Sequence, residues 1–471
     1  MAKATKIWCY SLSFIATFQP KRADMKRRTG QKYLSDRIFP TCLGVLFFSH
    51  SVFAQLSSVE EQWTHHDSIQ HLGDGTYTPG SGFKIAKSEY GQLSLKLFAY
   101  VRYLNSGGLN AQYTDQFGIT KPVEQRNDFQ FNKVNIQFHG WLVDPRFRYL
   151  AYVWTNNTAL GQGAQVVVAG NLSYRFSRWA TLGMGINALP GTRSTEGNFP
   201  NWLPVDNRLI AEEFFRPSYT TGLWLKGELG TKWDYQAMLG NNLSQLGIDA
   251  AQLDSDPSTV SLALGWEPST GEYGGPNGFG DFEGRSSLAT RFGVHYTYNE
   301  ENRQSQPGQQ APENSQIRLS DGNVIFSNGL FGDSVLIDKA RYHMSSLDAG
   351  FKFKGWSLDA ALYLRTINSI KGEKVDLAPS QLNDWGHQAI LSKMIAPRLW
   401  QAYAGYALIH GEYGEPWEAR FGLNYYPAKN QVVRLNVEYI HTDRSPVGGL
   451  SLPYSVGGTG GILNANVMLN L

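Results

Sequence analysis

Apolar and polar residues alternate with a period of two along most of the chain from Gly91 onward, with Gly, Pro, Asn and Asp at the breaks. Such alternation places successive side chains on opposite faces of a β-strand, and helical periodicity never persists for three turns. The pattern predicts sixteen strands of about ten residues, a length that crosses a bilayer at a tilt. The predicted strands are 92–104, 130–142, 147–156, 166–176, 179–187, 219–229, 233–241, 259–267, 287–299, 343–353, 356–367, 386–395, 400–410, 417–426, 432–442 and 462–471.

The joins between these strands alternate between short and long, as in outer-membrane barrels with short turns on one rim and long loops on the other. The short joins are 143–146, 177–178, 231–232, 354–355, 396–398 and 428–431, and the long joins are 105–129, 188–218, 242–258, 300–342, 368–385 and 443–461. The join 268–286 breaks the rule. It is either an ordered Gly-rich loop on the short-turn rim or a sign that the count is wrong by one hairpin.

The last nine residues, "LNANVMLNL", alternate up to Leu471 and are predicted to be the strand that closes the ring against 92–104. Closure is required because a barrel in lipid leaves no unpaired strand edge. The fold class predicted for 91–471 is therefore all-β, a 16-stranded antiparallel transmembrane β-barrel.

Tryptophans next to the short joins are expected to form an aromatic girdle, the alternative being the core of a soluble β-sandwich. They are Trp141, Trp179, Trp233, Trp356 and Trp400.

The polar face of the strands is predicted to line a water-filled lumen, because a charge facing lipid at mid-bilayer costs about 2–4 kcal/mol. A 16-stranded ring is also too wide for its side chains to fill. The basic residues on the inner face are predicted to be Lys96, Arg102, Lys133, Arg148, Arg175, Lys226, Arg291, Lys352, Arg365, Arg420 and Arg434. The acidic ones are predicted to be Glu228, Asp234, Glu267, Asp348, Asp359, Glu418 and Glu438.

This excess of basic residues favours anions in the lumen, whereas paired and solvated wall charges of an unselective pore are the alternative. The long join 188–218 is a second candidate for selectivity, because a loop of this length can fold inward and narrow the lumen. The alternative is an outward surface loop. The candidate constriction residues in the join 188–218 are Arg193, Arg208, Arg216, Glu212 and Glu213.

The N-terminus predicts export. A basic stretch precedes an apolar run at 38–48, and Val52 and Ala54 occupy the −3 and −1 positions of a signal-peptide cleavage site. We expect residues 1–54 to be a signal peptide, with Met25 as an alternative start and a buried helix as the alternative structure. Residues 55–90 are interpreted as a polar lead-in.

Removal of residues 1–54 takes away both cysteines, nine basic and two acidic residues, and changes the formal net charge from +2 to −5. A nucleic-acid partner is therefore not expected. Charged residues make up only 17 % of the chain, below the about 25 % of ordinary globular proteins. Mean hydropathy is negative, which argues against a helical membrane protein.

No catalytic, metal or cofactor site is expected, because neither G-x-S-x-G nor H-E-x-x-H occurs. The Gly-rich stretch 271–284 lacks the P-loop pattern. A metal site at His65, His66, Asp67 and His71 is the alternative to a solvated segment. An outer-membrane enzyme, or a binding or adhesion barrel that uses the loop 300–342, are the rival functions.

Four stretches resemble the phosphate-selective porin O and P family: "FNKVNIQFHGWLVDPRFRYLAYVW" (131–154), "LSYRFSRWATLGMGINALPG" (172–191), "NRLIAEEFFRPSYTTGLWLKGEL" (207–229) and "WEARFGLNYYPAKNQVVRLNVEYIHTD" (417–443). The resemblance implies a homotrimeric outer-membrane barrel that carries small anions such as phosphate by passive diffusion, without a cofactor. It makes Arg102, Lys133, Arg148 and Arg175 candidates for the family's wall arginines. The sequence departs from the family in two places: 188–218 has no Lys, and Leu471 replaces the usual terminal aromatic.

Overall fold

A computed structural model describes residues 76–78, 81–156, 165–197, 199–244, 256–269, 273, 278–302, 317–449 and 452–471. The predicted signal peptide, most of the lead-in, both cysteines and the His65–His71 cluster lie outside the described residues. Within the described part of the chain, no helix has the length and apolar character needed to span a membrane.

Sixteen antiparallel strands pair in succession and form a closed barrel, as the alternation predicted. Two short strands precede the barrel, β1 (Thr76–Thr78) and β2 (Gly82–Ser88), and β2 pairs with the first barrel strand, β3. Two more, β4 (Gln112–Thr114) and β5 (Thr120–Pro122), form a hairpin in the first long loop. The barrel strands are β3 (Gly91–Leu109), β6 (Asn127–Leu142), β7 (Asp144–Asn156), β8 (Gln165–Ser177), β9 (Ala180–Ala188), β10 (Tyr219–Leu229), β11 (Trp233–Gly240), β12 (Thr259–Trp266), β13 (Ala289–Asn302), β14 (Leu336–Phe353), β15 (Trp356–Glu373), β16 (Gln381–Ala396), β17 (Trp400–His410), β18 (Trp417–Tyr425), β19 (Val433–Asp443) and β20 (Gly460–Asn470).

The ring closes between its last and first strands. On β20, Val467 lies opposite Val101 of β3, and Leu469 lies opposite Ala99. The backbone of Leu471 exchanges two hydrogen bonds with Leu97. The sixteen-strand count is confirmed, because β12 pairs directly with β13 and the long join between them is a loop.

Strand β2 continues the edge of β3 below the point where β20 ends. It pairs with residues 91–95 of β3, so that Phe83 lies opposite Leu95. The sequence assigned this stretch to a polar lead-in, because "GFKIAKS" carries no sustained alternation. Pairing here satisfies the backbone groups of β3 that β20 does not reach.

Several strands are longer than the alternation predicted, among them β3, β14, β15 and β16. Strand β14 starts at Leu336 rather than 343, β15 extends to Glu373 and β16 begins at Gln381. These extensions lie on the long-loop side, where the outward positions are no longer apolar. The backbone ladder continues there without the hydrophobic signal that marks a strand in the sequence.

Large apolar side chains cover the outside of the barrel. On β8, Val166, Val168, Leu172 and Phe176 are each more than half exposed. Near the short turns, the ring of Trp233 stacks on that of Trp266 with centroids 5.4 Å apart. Trp266 was not among the tryptophans predicted for the girdle. Trp141 lies opposite Gln92 and Arg148 and so shares the inner face of the wall, which makes its assignment to an outer girdle wrong.

Candidate functional site

The segment 189–218, between β9 and β10, crosses the inside of the barrel. It contains a short 3₁₀-helix, Arg193–Thr195, and one short α-helix, α1 (Ile210–Phe215), all of whose residues are buried. The hydroxyl of Ser346 donates to the carbonyl of Gly191 (2.9 Å), and the amide of Ile210 donates to Glu418 (2.8 Å). These contacts fix the segment to strands β14 and β18.

Helix α1 docks on the wall through its two phenylalanines. The ring of Phe215 stacks on Tyr363 with centroids 5.4 Å apart, and the guanidinium of Arg365 lies 4.0 Å from the ring of Phe214. Gly386 makes room for the helix, because a Cβ there would come within 2.5 Å of the Phe215 ring. The apolar residues of "IAEEFF" thus pack on the inner wall.

The inserted segment is one part of an apolar core inside the barrel. Residues 317–326 of another long loop and the loop before β20 pack with α1 against inward side chains of β3, β14–β17, β19 and β20. The sequence predicted a lumen filled with water because a ring of sixteen strands is wide. That expectation is wrong for the half of the barrel that contains this apolar core, because loops there fill the space that the wall side chains cannot fill.

Seven of the eleven predicted basic residues are buried on the inner face: Arg102, Lys133, Arg291, Lys352, Arg365, Arg420 and Arg434. Four of them contact the inserted segment directly: Lys133, Arg291, Arg420 and Arg434. Arg420 donates to the side chain of Asn207 (2.5 Å) and forms an ion pair with Glu418. Arg434 donates to the carbonyl of Trp202 (2.5 Å).

A second group of contacts surrounds the first turn of the segment. Arg291 forms ion pairs with Asp348 (2.6 Å) and with Glu196 of the segment (2.5 Å). His295 places one ring nitrogen 2.8 Å from Asp348 and the other 3.1 Å from the carbonyl of Pro190. The charges on β13 and β14 are therefore balanced by the segment and by the wall.

The other four buried cations also have protein partners. Lys133 pairs with Asp206 of the inserted segment (2.5 Å). Arg365 pairs with Asp384 (2.6 Å), Arg102 donates to Gln130 (2.8 Å between Nε and Oε1), and Lys352 donates to the carbonyl of Gly278 (2.6 Å). Gly278 belongs to the Gly-rich loop between β12 and β13, whose described residues Tyr273 and Asp281 are also buried.

The two inward loops meet at the wall of β14 and β15. Arg193 of the inserted segment pairs with Asp359 (2.8 Å), and its guanidinium lies 4.4 Å from the ring of Tyr273 in the second loop. The hydroxyl of Tyr273 donates to the same carboxylate. Gly350 is required here, because a Cβ would come within 1.9 Å of that hydroxyl.

The remaining constriction candidates bind one another or the wall. Glu212 accepts from Thr192 (2.7 Å) and from Gln388 (3.1 Å). Glu213 pairs with Arg208 (3.1 Å) and with Arg216 (2.7 Å). Burial would raise the pKa of Glu213, but the two guanidinium groups outweigh it and lower the pKa to about 2.

The last four predicted basic residues keep contact with solvent inside the ring. Arg148 and Lys226 are exposed, and Lys96 and Arg175 are half-buried. They lie on β3, β7, β8 and β10. Arg148 interacts electrostatically with both Arg175 and Lys226, so these charges form one patch on the wall.

Acidic residues lie beside this patch, and Arg175 interacts electrostatically with Glu228. Glu228 is opposite Asp234 on β10 and β11, and both are half-buried on the inner face. The described residues contain no cluster of three or more His, Cys, Asp or Glu side chains able to hold a metal ion.

Comparison with known proteins shows the fold alone. No protein-family model matches the chain, and no curated protein matches it. OmpT of Vibrio cholerae has a TM-score of 0.52 at 9 % identity, covering 82 % of this chain and 100 % of its own. An anion-selective porin from Comamonas acidovorans has a TM-score of 0.50 at 9 % identity, covering 81 % and 100 %. The trimer form of in-vitro folded OmpT gives the same four values.

Proposed function

We propose that this protein is an outer-membrane porin that lets small hydrophilic solutes diffuse passively through the open half of its barrel, with a preference for anions. The outward apolar residues of β8, from Val166 to Phe176, support a place in the membrane. Ten residues at about 3.3 Å each, tilted by about 40°, span about 25 Å, the height of the apolar band of outer-membrane barrels.

The observation that carries the anion preference is the unequal exposure of the inward charges. Arg420, Arg434 and the other buried cations are engaged by loops and wall partners and are shielded from solvent, whereas Arg148 and Lys226 are exposed and Lys96 and Arg175 are half-buried. A fixed positive charge about 7 Å from a passing ion changes its energy by about 0.6 kcal/mol in water, and salt screening halves this. Each charge thus raises the anion-to-cation ratio about threefold.

Phosphate-like anions are included in this proposal because of the sequence resemblance to the porin O and P family. An unselective pore is the alternative, and it predicts that exchange of these four charges leaves ion preference unchanged. Transport needs no covalent step and no cofactor, so a gradient alone supplies the driving force.

We also propose a homotrimer. Support comes from the trimer form of OmpT among proteins of this fold. Light scattering in detergent should give the mass of three copies. A monomeric wild type would contradict this part.

Measuring ion selectivity in planar bilayers tests the proposal that this protein is a porin. The double variant Arg148→Glu/Lys226→Glu should move the reversal potential in a KCl gradient strongly toward cations. Lys429→Glu is the control, because Lys429 is exposed in the turn before β19 and a charge reversal there should have little effect. Equal shifts in both variants would contradict the assignment of the patch to the ion path.

A binding barrel is the second candidate, favoured by the apolar core that fills one half of the interior. It predicts a folded protein that gives no conductance steps in a bilayer.

A further inference from the structure

We propose that a pocket formed by four long loops is a binding site for small aromatic ammonium ions. The loops are those between β3 and β6, β13 and β14, β15 and β16, and β17 and β18, so the pocket lies on the long-loop rim of the barrel. This inference goes beyond the porin function and does not depend on it.

The pocket has a volume of about 530 Å³ and an apolar lining. Its nine lining residues are all aromatic, aliphatic, proline or glycine. Two of them, Ile119 and Leu377, are 53 % and 61 % exposed although they lie in loops at the end of the barrel. A concave apolar surface of this kind, open to water, is typical of a ligand site.

Three aromatic rings converge in the pocket. The ring of Phe117 stacks on that of Tyr413 with centroids 5.3 Å apart, and Phe331 meets Phe117 edge-on at 5.7 Å. All three side chains are half-buried, so part of each ring remains accessible to a ligand. The face of an aromatic ring carries partial negative charge and attracts a cation within about 6 Å of its centroid.

Hydrogen bonds hold two of these rings in place. The carboxylate of Asp115 accepts from the amides of Phe117 (3.0 Å) and Ile119 (2.9 Å), which fixes the turn of the β4–β5 hairpin. The amide of Tyr413 donates to the hydroxyl of Ser320 (3.1 Å) in the buried loop before β14. Because the walls are already ordered, the ordering cost on binding is small.

The charges around the pocket are mainly negative. The stretches that form it carry six carboxylates against three lysines: 115–121, 327–335, 371–380 and 411–415. One of the lysines, Lys121, is bound by Asp115 (2.8 Å). The charged residues that directly adjoin a lining residue along the chain are Asp333, Asp376 and Glu412, and all three are exposed. The pocket therefore has an acidic rim.

The effect of the carboxylates reaches a ring of the pocket itself. Burial raises the pKa of the Tyr413 phenol, and the charges of Glu412, Asp321 and Asp384 raise it further. A cation at this ring is attracted by the same charges, whereas an anion is repelled.

Rings and charges together select the ligand class. An aromatic ammonium ion brings a flat apolar ring to the lining and a positive charge to the ring faces and the acidic rim. A neutral aromatic molecule of the same shape gains only from the lining. An anion of the same shape meets charges of its own sign, so the pocket discriminates against it.

Phenyltrimethylammonium tests the inference against two molecules of nearly the same shape, the neutral 2-phenyl-2-propanol and the anion benzenesulfonate. Saturation-transfer NMR on the full chain folded in a non-ionic detergent measures the binding of each. The cation should bind about fivefold more tightly than the alcohol, the usual gain from a cation–π contact. The sulfonate should bind at the pocket more weakly than the alcohol.

Variants assign the binding to the pocket. Phe331→Leu keeps an apolar side chain and removes a ring, so it should weaken binding of the cation about fivefold and leave that of the alcohol nearly unchanged. Phe117→Leu provides a second ring variant if the first fails to fold. Glu412→Gln should also weaken binding of the cation. Glu283→Gln is the matched control and should not, because Glu283 lies in an exposed ion pair on the short-turn rim.

The outcomes separate this pocket from other sites and from the porin. Equal binding of the cation and the alcohol would overturn the inference, and so would cation binding that keeps wild-type strength in both ring variants. Equal weakening in Glu412→Gln and Glu283→Gln, or tight sulfonate binding that is lost in Phe331→Leu, would overturn it as well. Cation binding by a chain that carries no bilayer current would support the pocket and overturn only the porin.

Discussion

Glu213 is the residue whose removal should loosen the inserted segment most specifically. Its carboxylate is buried, and Arg208 and Arg216 keep it ionised down to a pKa of about 2 instead of the usual 4.5. A shift of that size corresponds to about 3 kcal/mol of favourable interaction with its surroundings. Glu213→Gln keeps the shape of the side chain and removes the charge, so up to this amount of local stability should be lost.

Hydrogen exchange of the amides in 207–216 measures that loss, because local opening sets the exchange rate. About 3 kcal/mol corresponds to exchange that is faster by about a hundredfold. Glu283→Gln is the matched control, since Glu283 forms an exposed ion pair with Arg398 and such pairs contribute at most about 1 kcal/mol. Equal exchange in 207–216 for wild type and Glu213→Gln would refute the reasoning.

The interaction of Glu213 with Arg208 and Arg216 also predicts how the local stability of the inserted segment depends on pH. The pKa of Glu213 is lower in the folded chain than in the unfolded chain, so its stabilisation is complete above about pH 4.5 and disappears as pH falls toward 2. The difference in amide hydrogen exchange of 207–216 between wild type and Glu213→Gln should therefore persist at pH 4, where ordinary carboxylates already titrate, and vanish near pH 2. A difference that is already absent at pH 4 would show that the pKa of Glu213 is that of an ordinary carboxylate.

Three further predictions concern the two classes of inward residue. Lys226→Gln should lower the anion-to-cation permeability ratio about threefold, measured as a reversal potential; an unchanged ratio would remove Lys226 from the ion path. Arg365→Gln leaves Asp384 buried and without its charged partner, so it should cost about 3–5 kcal/mol in unfolding free energy. Phe215→Ala should cost a similar amount through the cavity left against Tyr363, whereas wild-type stability of the variant would argue against helix packing in the lumen.

The barrel could be predicted from the sequence because lipid and lumen impose opposite chemistry on alternate positions. On β20, Leu463 and Val467 face outward while Asn464 and Asn466 are buried inside, and one rule accounts for all four. The same parity puts Arg148 and Arg420 on the inner face. Strand ends beyond the apolar band, such as Leu336 on β14, lack that signal and were missed.

The environment of the inward charges could not be predicted from alternation. Arg420 and Lys226 look alike in the sequence, but Arg420 is bound by Asn207, which is 213 residues away along the chain, while Lys226 is exposed. Only the path of 189–218 through the barrel separates the two. The contact of Tyr273, in the loop between β12 and β13, with the wall at Gly350 left no periodic trace in the sequence either.

The reversal potential of the wild-type protein in a planar bilayer with a KCl gradient tests the central claim most directly. An open half-lumen lined by Arg148, Lys226, Lys96 and Arg175 predicts stable conductance steps and a potential of anion-selective sign. A potential of cation-selective sign, or a folded protein that carries no current, would contradict the account.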